Sequence, residues 1–335
     1  MKVAVVHNAV DEHETDPATR DVLDQAEFVA AALKKDGHQV RRFGCTRDIH
    51  LVLRALRAWK PDRLFNLVES LEGYAALHPC AAGLWELLGI PHTGSPSWAL
   101  EHGTDKHTAK VLMAAASIPT PAWTLWRERD GAPPAAPPPW IIKPALEDAS
   151  LGIEEESVVG DCAALRARAD WLRATFPGQP LLVEQYIDGR EFNVSILSSP
   201  EGPRVLPPAE MRFVGYPPGK ARVLGYRAKW AADAFEFRNT ERVYDFGPED
   251  AALLEAIRAV SLQCWTLFEL RGYARVDLRV DADARPHVIE VNPNPCLSPD
   301  AGFAAAVGRA GIPPEVMVRW ILEDCVCLPR RPIMS

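Results

Sequence analysis

The run GYARVDLRVDADARPHVIEVNPNP (272–295) narrows the possible folds more than any other stretch of the chain. Its two alternating segments, ARVDLRV and HVIEVN, flank the polar turn DADARP and predict an antiparallel hairpin. Neighbouring strands lie about 4.8 Å apart, which can set Asp277 beside Glu290 and Asn292 on one face. Two carboxylates and an amide carbonyl are hard oxygen ligands that suit Mg²⁺ better than Zn²⁺. Arg275 precedes Asp277 by two residues and points to the same face. A metal cage with a cation beside it is what phosphoryl chemistry requires. A surface hairpin carrying ordinary charges is the alternative.

The first ninety residues alternate strand and helix. KVAVV (2–6), QVRRF (39–43) and RLFNLV (63–68) read as strands. Val22, Ala26, Val29, Ala30 and Leu33 recur at helical spacing before Gly37. Val52, Leu56 and Trp59 mark a second helix ended by Pro61, and Leu77, Ala81, Leu84, Trp85 and Leu88 a third ended by Gly89. This order implies a parallel sheet covered on both faces, a Rossmann-like domain over 1–100. No G-x-G-x-x-G follows the first strand, so nicotinamide binding is not supported.

A short helix from Ser97 leads to a second unit, over 101–187. DKHTAKVLMAAAS reads as a helix, IPTPAW as its extended exit, GAPPAAPPP (131–139) as a Pro-rich connector and WIIKP as a strand ending at Lys143. ALEDASLGI (145–153) is a small-residue loop, residues 161–175 a helix, and LLVEQYI and EFNVSIL strands separated by Asp188-Gly189. The third unit, 188–335, holds residues 204–247, expected as a strand and a long functional loop, then a helix over 249–270, the hairpin and two C-terminal helices. The expected class is therefore α/β with α+β subdomains, the last built on a mixed sheet.

With 335 residues, 47% of them hydrophobic, the chain exceeds a usual single core. A net charge of −8 without a Lys/Arg block argues against nucleic acid. No apolar run approaches the roughly 20 residues of a membrane span, and the N-terminus lacks a signal-peptide core, so no membrane role is expected. Seven scattered cysteines suggest neither a disulfide framework nor a zinc ribbon, and nine histidines form no HExxH, which fits reduced thiols in the cytoplasm. Cys296, just past the hairpin, is read as a plain thiol before a substrate contact.

Lys143, at a strand end before a flexible loop, suits a cation aimed at phosphate while loop N–H groups close over it. Lys106 opens a helix, where a solvated role is the ordinary one. A strand such as LLVEQYI can offer its backbone to an adenine edge, and Glu191 can accept from ribose hydroxyls.

Taken together and in order, DKxxxK, strand-end Lys143, VEQYIDGREF, the Lys229 segment GYRAKW and the RVD…EVN pair resemble the ATP-grasp superfamily, most closely its D-alanine–D-alanine ligase branch. The resemblance runs from FNLVE (65–69) to EVNPNP (290–295). It implies an ATP-grasp fold with a Rossmann-like N-terminal domain, a small central domain and a C-terminal domain carrying the metal site. Lys106 and Lys143 would contact ATP phosphates, with Ser150 of the loop nearby. Glu184 and the backbone of Gln185, Tyr186 and Ile187 would hold adenine, and Glu191 the ribose. Lys229 would reach the terminal phosphate from a mobile lid near 213–235. Asp277, Glu290 and Asn292 would bind two Mg²⁺ (or Mn²⁺) ions, and Arg275 would stabilise the oxyanion of acyl transfer. The implied reaction joins a carboxylate to an amine through an acyl phosphate; related ligases are often homodimers.

The amino-acid half departs from the branch. The first loop reads HNAVDEHETD, Ala149 stands where the branch has Ser, Trp230 follows Lys229 in place of Tyr, and NPNPCLSPDAGF replaces a small-residue loop. A different pair of small-molecule substrates, amino acids among them, is therefore expected. Glu69, Glu72, Glu12 or Glu14 could receive an amino group, and Arg212, Arg222 or Arg227 a carboxylate, although each is first a solvated or structural charge. Ser298 and Asp300 are further substrate candidates, and His7 is balanced between a substrate contact and a loop hydrogen bond. The rival readings are an ATP-grasp kinase, D-alanine–D-alanine ligase proper, and a nucleotide-binding regulator without turnover.

Overall fold

The structure, a computed structural model, describes residues 1–11, 13–126 and 133–327. Glu12 and the first two residues of the Pro-rich connector lie outside them. The chain begins with β1 (Lys2–Asn8), α1 (Pro17–Lys35), β2 (Gln39–Cys45), α2 (Ile49–Trp59), β3 (Arg63–Leu67) and α3 (His78–Leu88). The strands pair in parallel in the order β2-β1-β3. Pro17 opens α1, and the Asp16 side chain caps it by accepting from the Thr19 N–H. The residues spaced for its apolar face (Val22, Ala26, Val29, Ala30 and Leu33) are all buried. Helix α2 stops at Trp59, ahead of the expected Pro61, with Lys60 in the left-handed conformation, and the expected Gly89 ends α3 in the same way.

After α4 (Ser97–Thr104), the middle of the chain forms α5 (Lys106–Ala115), β4 (Trp123–Trp126), β5 (Trp140–Pro144), β6 (Val158–Val159), α6 (Cys162–Thr175) and β7 (Leu181–Gln185). The sheet order is β4-β7-β5-β6, and α6 packs Leu165, Ala169 and Leu172 against Ile142 and Val183.

The last part comprises β8 (Arg190–Ser199), β9 (Gly202–Val205), β10 (Ala209–Phe213), α7 (Tyr226–Trp230), α8 (Phe235–Arg238), β11 (Thr240–Val243), α9 (Ala251–Leu267), β12 (Tyr273–Val280), β13 (Pro286–Asn292), α10 (Gly302–Arg309) and α11 (Pro314–Glu323). The sheet runs β11-β10-β8-β12-β13, with β9 also on β8. Its described pairings are all antiparallel, where a mixed sheet was expected, because β12 returns through α9 to run against β8. Residues 204–247 are likewise more ordered than a strand and one long loop: two short helices and β11 follow β10, and β11 pairs back onto it. Gly189 is required at the start of β8, since a Cβ there would lie 1.8 Å from the Val280 carbonyl oxygen.

Helices α10 and α11 do not pack only on their own domain. Phe303, Val307, Met317, Val318 and Ile321 share one buried core with Val3, Val5, Ala26, Val29, Leu33 and Phe65 of the first domain. These two helices therefore join the N-terminal sheet to the C-terminal one, whose Leu197 and Tyr273 lie in the same core. Among the described residues, no helix is long and apolar enough to cross a membrane.

Candidate active site

The hairpin forms as expected, with a refinement. Asp277 pairs directly with Glu290, and Arg275 with Asn292, so all four side chains share one face. The register then shifts, because Leu278 pairs with Val288 and leaves Ile289 as an extra residue. Strict alternation would put Val288 on the same face as Glu290. The bulge instead sends Val288 into the core, where it is fully buried, while Glu290 stays on the polar face. Strand β8 extends that face by setting Asn193 against Asp277 and Glu191 against Arg279.

The polar face is a connected charge web. Asp277 Oδ1 accepts from Asn193 Nδ2 at 2.8 Å and Arg275 Nε at 2.7 Å, and its Oδ2 accepts from Arg275 Nη2 at 2.9 Å. Lys106 Nζ lies 3.0 Å from Glu290 Oε1 and donates to the Glu147 carbonyl at 2.5 Å. Burial opposes ionisation of Glu290, yet Lys106, Lys229, Lys143 and Arg275 together hold it down at about 2. Lys106 begins α5 because Asp105 caps that helix through the His107 and Thr108 N–H groups.

Glu184 is placed differently from a simple adenine contact. It is buried between Lys110 and Lys143, with Lys143 Nζ 2.5 Å from its Oε2. Lys110 also donates to Thr120 Oγ1 at 2.7 Å, whose hydroxyl donates to the Val288 carbonyl at 2.7 Å. Burial, with Lys106 nearby, lowers Lys143 to about 8. Glu191 is likewise paired, 2.7 Å from Arg279 Nη2. The spacing of DKxxxK contains Lys110, and alternation in EFNVSIL puts Asn193 on the face of Glu191. Both signals were present in the sequence, but their long-range partners were not.

Two cavities meet at this web. A narrow one of about 80 Å³ is lined by every residue expected to touch nucleotide: Lys106, Lys143, Ser150, Glu184 to Ile187, and Glu191. Lys229, Asp277 and Glu290 line it too. Residues 213–235 close over it: Ser150 Oγ donates to the Leu224 carbonyl at 2.9 Å, and Tyr186 Oη to the Arg222 carbonyl at 3.0 Å. Tyr226 Oη anchors the same segment to Asp16 of the first domain at 3.0 Å. So small a space requires this segment to lift before a nucleoside triphosphate can enter.

The second cavity, about 590 Å³, is lined by Glu69, Asp300, Asn292, Arg275, Glu290, Lys229 and Cys296, with Asp21, His78, Asp148 and Arg242. Ala149 and Trp230, the two departures noted in the sequence, both line it, and the Trp230 indole N–H donates to the Ala149 carbonyl at 3.4 Å. His7 and Ser298 line neither cavity. His7 Nδ1 lies 2.9 Å from the Asn8 carbonyl, and Ser298 Oγ donates to Asp21 Oδ1 at 2.5 Å, orienting a residue that does line the cavity. The three arginines considered for a carboxylate are each paired elsewhere: Arg212 with Glu210 at 3.2 Å, Arg222 with Asp188 at 3.7 Å and Arg227 with Glu236 at 3.4 Å. Glu72 pairs with Arg47 at 3.7 Å, and Glu14 accepts from the Thr15 and Asp16 N–H groups at 2.8 Å. Cys296 Sγ donates to Asp21 Oδ2 at 2.8 Å, and burial pushes its pKa up, so the thiol is protonated.

Burial raises Glu69 to about 7 from 4.5, although Gln25 Nε2 donates to its Oε1 at 2.8 Å. The folded state thus holds this proton more tightly than the unfolded one, and its contribution to stability is lost as pH rises from about 4.5 to about 7. Glu69→Gln is expected to raise stability by about 1–2 kcal/mol at pH 8 and to change little at pH 4.5. Urea titrations at both values measure this; an equal effect at the two would show that Glu69 ionises without cost.

The oxygen-rich face fits a hard divalent cation. Among the described residues, no three His, Cys, Asp or Glu side chains cluster as a self-sufficient metal site. Two carboxylates and the Asn292 amide instead match an ion that completes its shell with phosphate oxygens and water.

Residues 134–323 match the family model described as D-ala D-ala ligase C-terminus. The chain is 32% identical over 311 residues to a D-alanine–D-alanine ligase of Stutzerimonas stutzeri, covering 92% of this chain and 90% of that protein. It is 31% identical over 302 residues to the D-alanine–D-alanine ligase of Acidiphilium cryptum, covering 89% and 91%. It is also 31% identical over 308 residues to the uncharacterized protein y4sG of Sinorhizobium fredii, covering 89% and 86%. The fold is similar to that of the D-alanine–D-alanine ligase of Bacillus anthracis solved with ATP: TM-score 0.74, 22% identity and 97% coverage of both chains.

Proposed function

The chain belongs to the D-alanine–D-alanine ligase family, ATP-dependent enzymes that form carbon–nitrogen bonds, and on that premise we propose a carboxylate–amine ligation through an acyl phosphate with a substrate pair other than two D-alanines. The observation that carries this reading is the junction of the two cavities. Lys229, Glu290 and Leu224 line both, so a triphosphate in the first would present its γ-phosphate to a carboxylate in the second.

In this reading Lys106 and Lys143 grip the phosphates, and Lys229 reaches the terminal one. Asp277, Glu290 and Asn292 would hold Mg²⁺, two ions in the family pattern. The metal supplies the charge neutralisation that lets a carboxylate approach a triphosphate. The substrate carboxylate oxygen attacks the γ-phosphorus, and the β–γ bond breaks to release ADP. The amine nitrogen then attacks the acyl carbon, and phosphate leaves with the C–O bond pair. Arg275 faces the oxyanion of that step. Glu69 and Asp148, both shifted upward by burial, line the cavity where the departing ammonium proton needs an acceptor. The lid segment, tied to both Asp16 and the central loop, keeps water from the acyl phosphate.

Ala149 and Trp230 support a changed substrate, since they stand in the wall of the larger cavity rather than in the nucleotide cavity. Incubation with Mg·ATP and pairs of amino acids or amines, following ADP, phosphate and product mass, tests the reading. ADP, free phosphate and an amide are expected. ADP with a stable phosphorylated product would establish a kinase, and efficient D-alanine dimerisation would overturn the substrate argument. Lys229→Ala is expected to lower kcat by about 10²–10³-fold while changing ATP affinity by less than about tenfold, as loss of one transition-state cation does. Unchanged kcat would remove Lys229 from the reaction.

A further inference from the structure

The larger cavity has a cation that the ligation chemistry leaves unused. Besides His78, which burial disposes to be neutral, three basic chains line it: Lys229, Arg275 and Arg242. The first two belong to the reacting groups, the terminal phosphate and the oxyanion. The Arg242 side chain, on β11, makes no hydrogen bond or ion pair among the described residues and feels only the nearby Tyr244 hydroxyl, whereas Arg212, Arg222 and Arg227 are each matched to a carboxylate. Its guanidinium rests against bare backbone at Gly302, where an added Cβ would sit 3.4 Å from Nη2. An arginine fork beside a cavity is built to receive a planar oxyanion.

The wall near it is apolar. Met211, Leu224, Ala228 and Phe237 line the same cavity, and Phe237 is 42% exposed although aromatic. Asp21, Glu69 and Asp148 supply the negative side. The cavity thus offers an oxyanion receptor, an apolar surface and a carboxylate cluster in one space.

We propose that Arg242 receives the non-reacting α-carboxylate of the acceptor, and that this acceptor is an amino acid with an apolar side chain larger than that of alanine, packed on Met211 and Phe237. The donor's carboxylate is consumed at the γ-phosphate, so only the acceptor retains one that needs a separate cation. This assignment of ends rests on the ligase reading; the binding itself does not.

Calorimetric titration with alanine, leucine and phenylalanine in both enantiomers, and with the leucine and phenylalanine carboxamides, tests it in the presence of Mg²⁺ and a non-hydrolysable ATP analogue. The larger amino acids are expected to bind at least about tenfold tighter than alanine, the lower end of what added methylenes contribute in an apolar pocket. R242Q is expected to weaken the best of them by about 30-fold, the loss of a charge-assisted hydrogen-bonded pair, to leave its carboxamide unaffected, and R242K to recover part of the loss. In turnover, R242Q should raise KM for that amino acid while KM for ATP stays within about twofold. Turnover with acceptor KM unchanged in R242Q overturns the Arg242 proposal and leaves the ligase reading standing. Binding lost in R242Q without ADP formation by the wild type supports Arg242 and overturns the ligase reading. Equal binding by wild type and R242Q, or no binding by any of these amino acids, overturns the proposal.

Discussion

Glu290→Gln is expected to lower kcat/KM by about 10³-fold or more, while the protein stays folded. Glu290 is opposite Asp277 across the hairpin, 3.0 Å from Lys106, and lines both cavities. The surrounding cations hold it at about 2, so it is ionised throughout the neutral range. Glutamine keeps the length, the strand pairing and one oxygen but removes the charge, leaving the site too weak for a divalent cation beside a triphosphate. Because the folded pKa is depressed below 4.5, the carboxylate stabilises the fold above about pH 4.5 and ceases to as pH falls towards 2. The substitution therefore also costs stability at pH 7, about 1–2 kcal/mol after allowing for relaxation of Lys106. Steady-state kinetics at saturating Mg²⁺ beside a urea titration separates the two effects. Activity within tenfold of wild type would remove the carboxylate from the metal site.

Glu184→Leu is expected to destabilise the protein by about 3–5 kcal/mol, the cost of leaving buried charge without its partner. Glu184 is 1% exposed and is the carboxylate between Lys110 and Lys143. Without it, two ammonium groups share a dry space, and both lose affinity for their protons. The unfolded chain then binds more protons than the folded one, so the deficit is greatest near pH 7 and shrinks as pH approaches 10. Adding Lys110→Met should restore part of the stability, because an apolar chain replaces one uncompensated cation. Urea midpoints for the single and double variants at pH 7 and pH 9.5 measure this. A pH-independent loss would mean packing, not charge, is what Glu184 provides.

The case of Glu184 shows where reading by sequence stops. Its strand was legible from LLVEQYIDGREF, the resemblance implied an adenine contact where the residue alone favoured a surface role, and it lines the smaller cavity. Its partners come from α5 and β5, 74 and 41 positions earlier in the numbering, and nothing local marks them. The hairpin was legible because alternation and a polar turn are local patterns. The bulge at Ile289 was not, because it satisfies Val288, which must reach a core formed with α9 and β8. That Ser298 and His7 line neither cavity, and that His7 makes the loop hydrogen bond that was one of its two readings, was not legible either: proximity to a motif in the chain does not say which way a side chain faces once another segment packs over it. The residue order does not show that Arg242, rather than Arg212 or Arg227, opens into the larger cavity; that follows from which carboxylates neighbour each arginine.

Local pattern alone specified most strands and helices in order, though not the two short helices and β11 within 204–247. Periodicity, caps and turn residues act over a few positions, and motif spacing carries the family. Packing between distant segments settles which charges neutralise one another, that the Arg242 side chain is left without a carboxylate partner among the described residues, and that α10 and α11 share one core with the first sheet. Those outcomes depend on burial and on pairing between distant segments, where the energy of a charge is set by its surroundings rather than by its neighbours in the chain.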